Sequence, residues 1–409
     1  VTEKKDWITR YLKLTDNSEP PIIFRTWTAI SVLASALQHR VGLQWVGGSF
    51  FYPNFMIALT SPPAKARKGT AIRQGLQFIE DCKIILSVNA PTIQVVINTL
   101  DKATRSYKEP NSTVIKLHSS LSVIAEELVV FTGYKNPEFV GYICEWFDCP
   151  KTPWSYETIG RGKQVIPGIW LNLLGGITPQ LLALSIPPEI VGSGLTSRMI
   201  FPYAERISKK VLEPWYIDEE ITLYHELLED LKELLKWVGS YDVDNSFKKS
   251  YSDWYLRYDA DALGGSGILS HYYQRKQTHL LKLAMIINAS RFAGKPGGMV
   301  LSRDDFEGAL KLLDSTEIRM DAAFSSLGAS PIATLQHRVL TAIITYSDKV
   351  NEKVPAGHLQ REFQNDADAR TMSSVLRTLE ASGYITVTMA GKDSYVSYKD
   401  NGSGEKKDE

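Results

Sequence analysis

The chain of 409 residues has little cysteine, no net charge and no membrane-length apolar run. Its 3 cysteines, Cys82, Cys144 and Cys149, are too few and too oddly numbered for a disulfide framework, so a reducing compartment is expected. None forms a CxxC pair and the 7 histidines form no metal-spaced pair, so structural zinc is not expected. Lys+Arg and Asp+Glu both number 46, which excludes binding of polyanions through bulk charge but leaves room for a local basic site. The polar start VTEKKDWITR is unlike a signal peptide, and no run of apolar residues is long enough to span a bilayer. There is no GxSxG motif and no internal repeat, and nothing marks Cys144 or Cys149 as nucleophilic. A soluble cytoplasmic protein without membrane contact is the expectation.

What is present is an ordinary globular composition, 44% apolar and 22% charged. Residues 1–50 read as an N-terminal helical segment, in which Ile23, Trp27, Ile30, Leu33 and Leu37 recur at helical spacing. Over 51–205 compact apolar runs at Asn54–Leu59, Leu121–Ala125, Ile169–Leu174 and Met199–Tyr203 alternate with helical patterns. That alternation predicts an α/β core with a buried parallel sheet. From 206 to 328 only helical patterns remain, with acids gathered at Asp218, Glu219, Glu220, Glu226, Glu229 and Asp230. Residues 331–398 read as three helices and a hairpin, the outline of a winged helix, and 399–409 as a disordered Gly/Ser/charge-rich tail.

The chemistry-bearing signals lie in the α/β stretch. Asn54–Leu59 runs into Ser61–Pro62–Pro63–Ala64–Lys65–Ala66–Arg67–Lys68–Gly69–Thr70 and then a helical pattern. Strand, small-residue loop with lysine, and helix is the layout of a P-loop: backbone N–H groups and the helix N-terminus take phosphate, a lysine reaches the outer oxygens, and a hydroxyl binds Mg²⁺. Lys68 and Thr70 match the last two roles, with Lys65, Arg67 and Gly69 beside them. The glycine pattern departs from the motif: Ser61 or Pro62 stands at the first glycine, Arg67 precedes the lysine, and Gly69 separates Lys68 from Thr70. A basic loop capping a helix is the plainer alternative. About fifty residues on, Leu121–Ala125 ends in Glu126 and Glu127. In a P-loop enzyme the first acid orders Mg²⁺ and the second polarises the attacking water; otherwise they are first-turn carboxylates of a helix.

Trp154–Thr158 and Gln164–Ile166 predict a hairpin with the basic tip Gly160–Arg161–Gly162–Lys163. The run Ile169–Leu174 leads to Gly175–Gly176–Ile177–Thr178, and Thr178 or Asn172 is the candidate γ-phosphate sensor. Arg198, after a Gly-rich loop, has the setting of an arginine finger. In the C-terminal unit Arg370, Thr371, Ser373, Ser374 and Arg377 are candidate DNA contacts on a recognition helix, with Met372, Val375, Leu376 and Leu379 facing the core. About seven basic and seven acidic side chains there keep a protein-docking alternative open.

Taken in order, Tyr52–Phe55, Arg67–Thr70, Ala125–Leu128, Leu173–Pro179 and Ser197–Arg198 resemble phage and prophage P-loop ATPases, AAA+-like replicative helicases commonly associated with primase modules. Arg275–Lys276, His279 and Lys282–Ala284 look like their helical lid, and the hairpin is similar to that of the MCM and superfamily 3 branch. The resemblance covers roughly residues 20 to 290. It implies an AAA+-like core at 51–205 and a helical lid at 206–328, to which the C-terminal winged helix read from the residues above is added. It also implies ATP and Mg²⁺ as cofactors, and a homo-oligomeric, hexameric ring around single- or double-stranded DNA in a bacterial host cell. A primase is the implied partner. By position it implies that Lys68 and Thr70 hold phosphate and Mg²⁺, Glu126 and Glu127 form the acidic pair, Thr178 or Asn172 is the first sensor, Arg198 the finger and Arg275 a second sensor. Arg161 and Lys163 would line the pore. An initiator or loader without processive unwinding, and a nucleotide-independent DNA-binding protein with a decayed P-loop, are the competing readings.

Overall fold

The computed structural model describes residues 6–87, 91–110, 112–133, 136–158, 162–185, 194–213, 218–264, 267–293, 298–326, 331–350, 353–364, 366–390 and 393–398. The chain divides into two compact units, Val1–Leu327 and Gly328–Glu409.

In the first unit α1 (Trp7–Leu14) is capped by Asp6, whose side chain accepts from the Thr9 amide, and it buries Trp7, Tyr11 and Leu14. The nearly charge-free α2 (Ile22–Leu37) buries 13 side chains. A helix apolar all round belongs in a core, and α2 packs on the main sheet and on α3 (Lys68–Asp81). That sheet consists of β1 (Met56–Thr60), β2 (Thr104–Lys108), β3 (Ile115–Ala125), β4 (Ile169–Ile177) and β5 (Met199–Ile200), in the order β2-β3-β4-β1-β5. β3, β4, β1 and β5 are parallel, and β2 is antiparallel to β3. The register aligns Ala125 with Gly175, Ala58 with Gly175, and Thr60 with Ile177. The C-terminal ends of β1, β3 and β4 therefore share one edge. The same register puts the start of β1 beside Met199, so Asn54 and Arg198 lie toward the opposite edge.

A second sheet joins parts far apart in sequence: Val41–Gln44 pairs in parallel with Gly239–Val243, which pairs with Val300–Leu301, and Phe50–Phe51 flanks the other side. The stretches 1–50 and 206–328, expected to be purely helical, thus each contribute strands. α1 and α2 also pack on α4 (Asp218–Leu234), so 1–50, 51–205 and 206–328 fold as parts of one unit. The long α5 (Ser270–Phe292) runs through its core.

The second unit contains α6 (Pro331–Val350), α7 (Ala356–Glu362) and α8 (Ala369–Ala381), with strands Val354–Pro355, Asp393–Tyr398 and Ile385–Ala390 paired in that order. Its core gathers Val339, Ile343, Leu359, Met372, Val375, Leu379, Ile385 and Val396. The tail 399–409 lies outside the described residues.

Candidate functional site

β1 is buried at every position and leaves the sheet where Ser61 gives way to two prolines, which cannot extend a ladder. The loop then curls back to Lys68, the first residue of α3. Two residues in it hold a left-handed backbone without being glycine, Ala64 (φ 58°) and Arg67 (φ 53°). Each costs roughly 1–2 kcal/mol relative to a right-handed turn. Strain of this kind persists where surrounding structure enforces a geometry that function uses. Glu19 helps enforce it by accepting from Arg67 Nε at 2.7 Å. Lys68 folds over the loop, its Nζ donating to Ser61 O at 3.1 Å and Ser61 Oγ at 2.9 Å. Lys65 is exposed on the same loop. Above it lies a cavity of about 300 Å³ lined by Ser61, Lys68, Gly69, Thr70, Arg73 and Glu126, among others.

β3 ends at Ala125 and carries both acids to this edge. Two glycines let them approach. A Cβ at Gly69 would stand 2.8 Å from Glu126 Oε2, and one at Gly176 would stand 2.5 Å from Glu126 O. The unexpected glycine between Lys68 and Thr70 therefore makes room for the acidic strand end. Glu126 is exposed and accepts from Arg73 Nη1 through both oxygens at 2.9 Å. Both partners are more than half exposed, so the pair contributes at most ~1 kcal/mol and is readily exchanged for another partner.

Glu127 is half-buried, and its Oε1 is shut off from solvent with no hydrogen-bond donor among the described residues. Burial raises its carboxyl above the ordinary 4.5, opposed by the charge of Lys68. Burial lowers Lys68 below its ordinary 10.5, opposed in turn by Glu127. The two charges moderate each other across a partly desolvated space. Thr178 sits just past β4, its Oγ1 accepting from the Leu181 amide at 3.2 Å, while Ser61 N donates to the adjoining Ile177 O at 3.4 Å. Loop, acids and Thr178 thus meet at one edge.

The other proposed sensor does not reach it. Asn172 is fully buried in mid-strand, opposite Ser122. Its Nδ2 donates to Ser31 O, Ser31 Oγ and Ser35 Oγ, and its Oδ1 accepts from Phe55 N. Those bonds fasten β4 to α2 and to β1, a packing role. Arg198 and Arg275 also lie away from Lys68, at the opposite edge, where both bind Asp148. The Arg275 contact is 3.2 Å.

The hairpin forms between Trp154–Thr158 and Gly162–Ile166, with Lys163 exposed; Arg161 lies outside the described residues. Gln164 anchors it, accepting from Gln94 and donating to Asn98, both at 3.3 Å. On α8, capped by Asp368, the exposed face carries Arg370, Ser373, Ser374 and Arg377, with Thr371 partly covered and Met372, Val375, Leu376 and Leu379 buried.

Sequence reasoning gave no role to Arg73 or Asp148. Arg73 had a signal: it follows Gly69 by one helical turn, so both share the face of α3 turned to Glu126. Asp148 had none, because its partners come from 50 and 127 positions away. No family model matches this chain, and no curated protein matches it.

Proposed function

We propose that the first unit is an ATPase of the AAA+-like P-loop type, assembling as a ring that translocates along or unwinds DNA, with the second unit a winged helix. The observation that carries this reading is the convergence of the strained Ser61–Lys68 loop, Glu127 and Thr178 at one edge of a sheet ordered β2-β3-β4-β1-β5. Independent elements have no packing reason to bring a lysine, a carboxylate oxygen without a donor among the described residues and a hydroxyl to one edge of the sheet.

On this reading the loop amides and the N-terminus of α3 take the polyphosphate, and Lys68 turns from Ser61 onto its outer oxygens. The donor set fits a divalent cation carried by the nucleotide: Thr70 and Glu126 face the same cavity, and among the described residues Glu126 is held by an exposed arginine. Bound there, Mg²⁺ would neutralise charge on the terminal phosphates. Glu127 orients and deprotonates the attacking water, a role suited to a carboxylate with an unused acceptor and a raised pKa. Thr178 donates to the γ-phosphate. Arg198 and Arg275, on the far edge, would serve a neighbouring subunit's nucleotide rather than their own. Lys163 and the hairpin would track DNA phosphates, and the exposed face of α8 would contact duplex.

Hydrolysis of ATP with and without single-stranded DNA, together with electron microscopy of the particles, tests the proposal. DNA-stimulated hydrolysis by closed rings is expected. Rings that hydrolyse ATP but fail to displace a strand on a forked substrate would instead indicate the initiator or loader. The hold of Arg73 on Glu126 favours a third reading, a nucleotide-independent DNA-binding protein, which lack of ATP binding would support.

A further inference from the structure

Beside the loop cavity lies a larger one of about 500 Å³, and the two share Thr70 and Arg73 in their walls. Its size falls within the ~300–1,000 Å³ typical of small-molecule sites. Its walls come from three elements: the turn after α1, the flank of α3, and the first turns of α4, which supply Thr15, Gln74, Phe78, Ile221 and Tyr224. Phe78 is buried behind Tyr224, their ring centroids 4.5 Å apart, so the half-buried Tyr224 supplies the aromatic face of the wall. Ile221, 45% exposed, forms an open apolar rim.

Most polar groups of the wall are engaged. Thr15 Oγ1 donates to Tyr11 O at 2.9 Å, Ser18 Oγ donates to Thr15 O at 2.5 Å, and Tyr224 Oη donates to Asp81 Oδ2 at 2.5 Å. Gln74 differs: its Oε1 is shut off from solvent and receives no hydrogen bond among the described residues. An unpaired buried acceptor costs about 1–3 kcal/mol, which rotation toward a donor in the cavity would relieve.

We infer that this cavity takes the base and ribose of the nucleotide whose phosphates occupy the Ser61–Lys68 loop, and that Gln74 Oε1 accepts from the exocyclic amino group of adenine. The inference rests on the phosphate site proposed above and extends it to base identity. An aromatic and apolar lining stacks any base, so stacking alone gives no choice among them. With Oε1 turned to the base, Gln74 supplies one: the carbonyl that replaces the amino group in inosine triphosphate meets an acceptor, and pairing it takes a flip of the amide to present Nε2.

The test measures equilibrium binding of ATP, inosine triphosphate and tripolyphosphate, each with Mg²⁺, to the full chain and to Lys68→Ala, Gln74→Leu and Ile221→Trp. ATP is expected to bind roughly tenfold tighter than inosine triphosphate, as one hydrogen bond allows. Gln74→Leu should erase that difference, Ile221→Trp should weaken both nucleotides by crowding the cavity, and neither should alter tripolyphosphate. Lys68→Ala should lose all three. An unchanged ATP-to-inosine-triphosphate ratio in Gln74→Leu, with tripolyphosphate still dependent on Lys68, overturns this inference alone. Failure of every variant and the parent chain to bind tripolyphosphate overturns the phosphate site and the inference with it.

Discussion

The two edges of the main sheet are built from the same kinds of residue and treat them oppositely. At the edge where β1, β3 and β4 end, Lys68 has Ser61 as its hydrogen-bond partner among the described residues, Glu127 Oε1 has no donor among them, and open space lies above the loop. At the other edge the buried polar groups mostly bind other protein groups, with Arg198 and Arg275 on the partly exposed Asp148. Lys282 is buried, its Nζ donating to Asn54 Oδ1 at 2.7 Å and lying 3.7 Å from the centroid of the Phe147 ring. Asn54 Nδ2 donates to the carbonyls of Phe147 and Leu171. His279 Nε2 donates to Ser197 O at 2.9 Å, a neutral ring whose pKa burial drives down to about 3. Those bonds hold α5 to the start of β1 and to the residue before Arg198. A charged cluster whose partners are all protein groups holds a fold together; one with partners to spare is available for a ligand.

The largest expected effects separate the open edge from the closed one. Glu127→Gln should retain ATP binding and lower hydrolysis by about 10³-fold, as loss of a general base does, measured by phosphate release. Arg198→Ala should lower hydrolysis by roughly 10²-fold while leaving single-chain ATP affinity unchanged, because its guanidinium lies across the sheet from Lys68. Mixing Arg198→Ala with Lys68→Ala chains should restore part of the activity, since each supplies what the other lacks at a shared interface. No recovery would place Arg198 with Asp148 as a purely structural pair.

Asn172→Ala inverts the pattern. It strips Phe55 N and the Ser31 and Ser35 hydroxyls of a buried partner, so ~2–4 kcal/mol of stability should go in denaturant unfolding, from the unpaired polar groups and the cavity together. Hydrolysis per folded molecule should not change; a selective loss of hydrolysis would return Asn172 to the site.

Protonation gives a smaller contrast. Glu127 is raised by burial, so the acid limb of the hydrolysis profile should lie above the ordinary carboxylate value of 4.5. His39, His118 and His279 are lowered from 6.5 to about 3, about 4 and about 3 by burial. A histidine depressed in the folded state binds its proton first in the unfolded chain, so stability is present above 6.5 and falls as pH drops toward 3–4. His39→Phe keeps the stack on Tyr52, whose ring lies 3.8 Å away, and should reduce the pH slope of stability in that window by one proton. An unaltered slope would mean that His39 is charged in the folded chain.

What the sequence made legible follows from how local each signal is. β1, its loop and α3 are contiguous, and the apolar run of β3 stops at two acids, so those parts could be read directly. The strand Thr104–Lys108, reading TRSYK, has no apolar alternation and exists because it pairs with β3. Val41–Gln44 and Gly239–Val243 are short and far apart, so only tertiary pairing makes them strands. The left-handed turns at Ala64 and Arg67 were hidden because that conformation usually announces itself with glycine. Asn172 looked like a sensor because it lies on the right strand; register, which composition does not encode, puts it opposite Ser122 in the core.

The most direct test of the contrast between the edges is a single-turnover measurement on Glu127→Gln beside the parent chain, with ATP binding and hydrolysis read in the same sample. The expected result is that both bind ATP and only the parent chain hydrolyses it at an appreciable rate. Equal rates in the two would show that the carboxylate left without a donor at the open edge is not the base, and would contradict the assignment of that edge as the catalytic one.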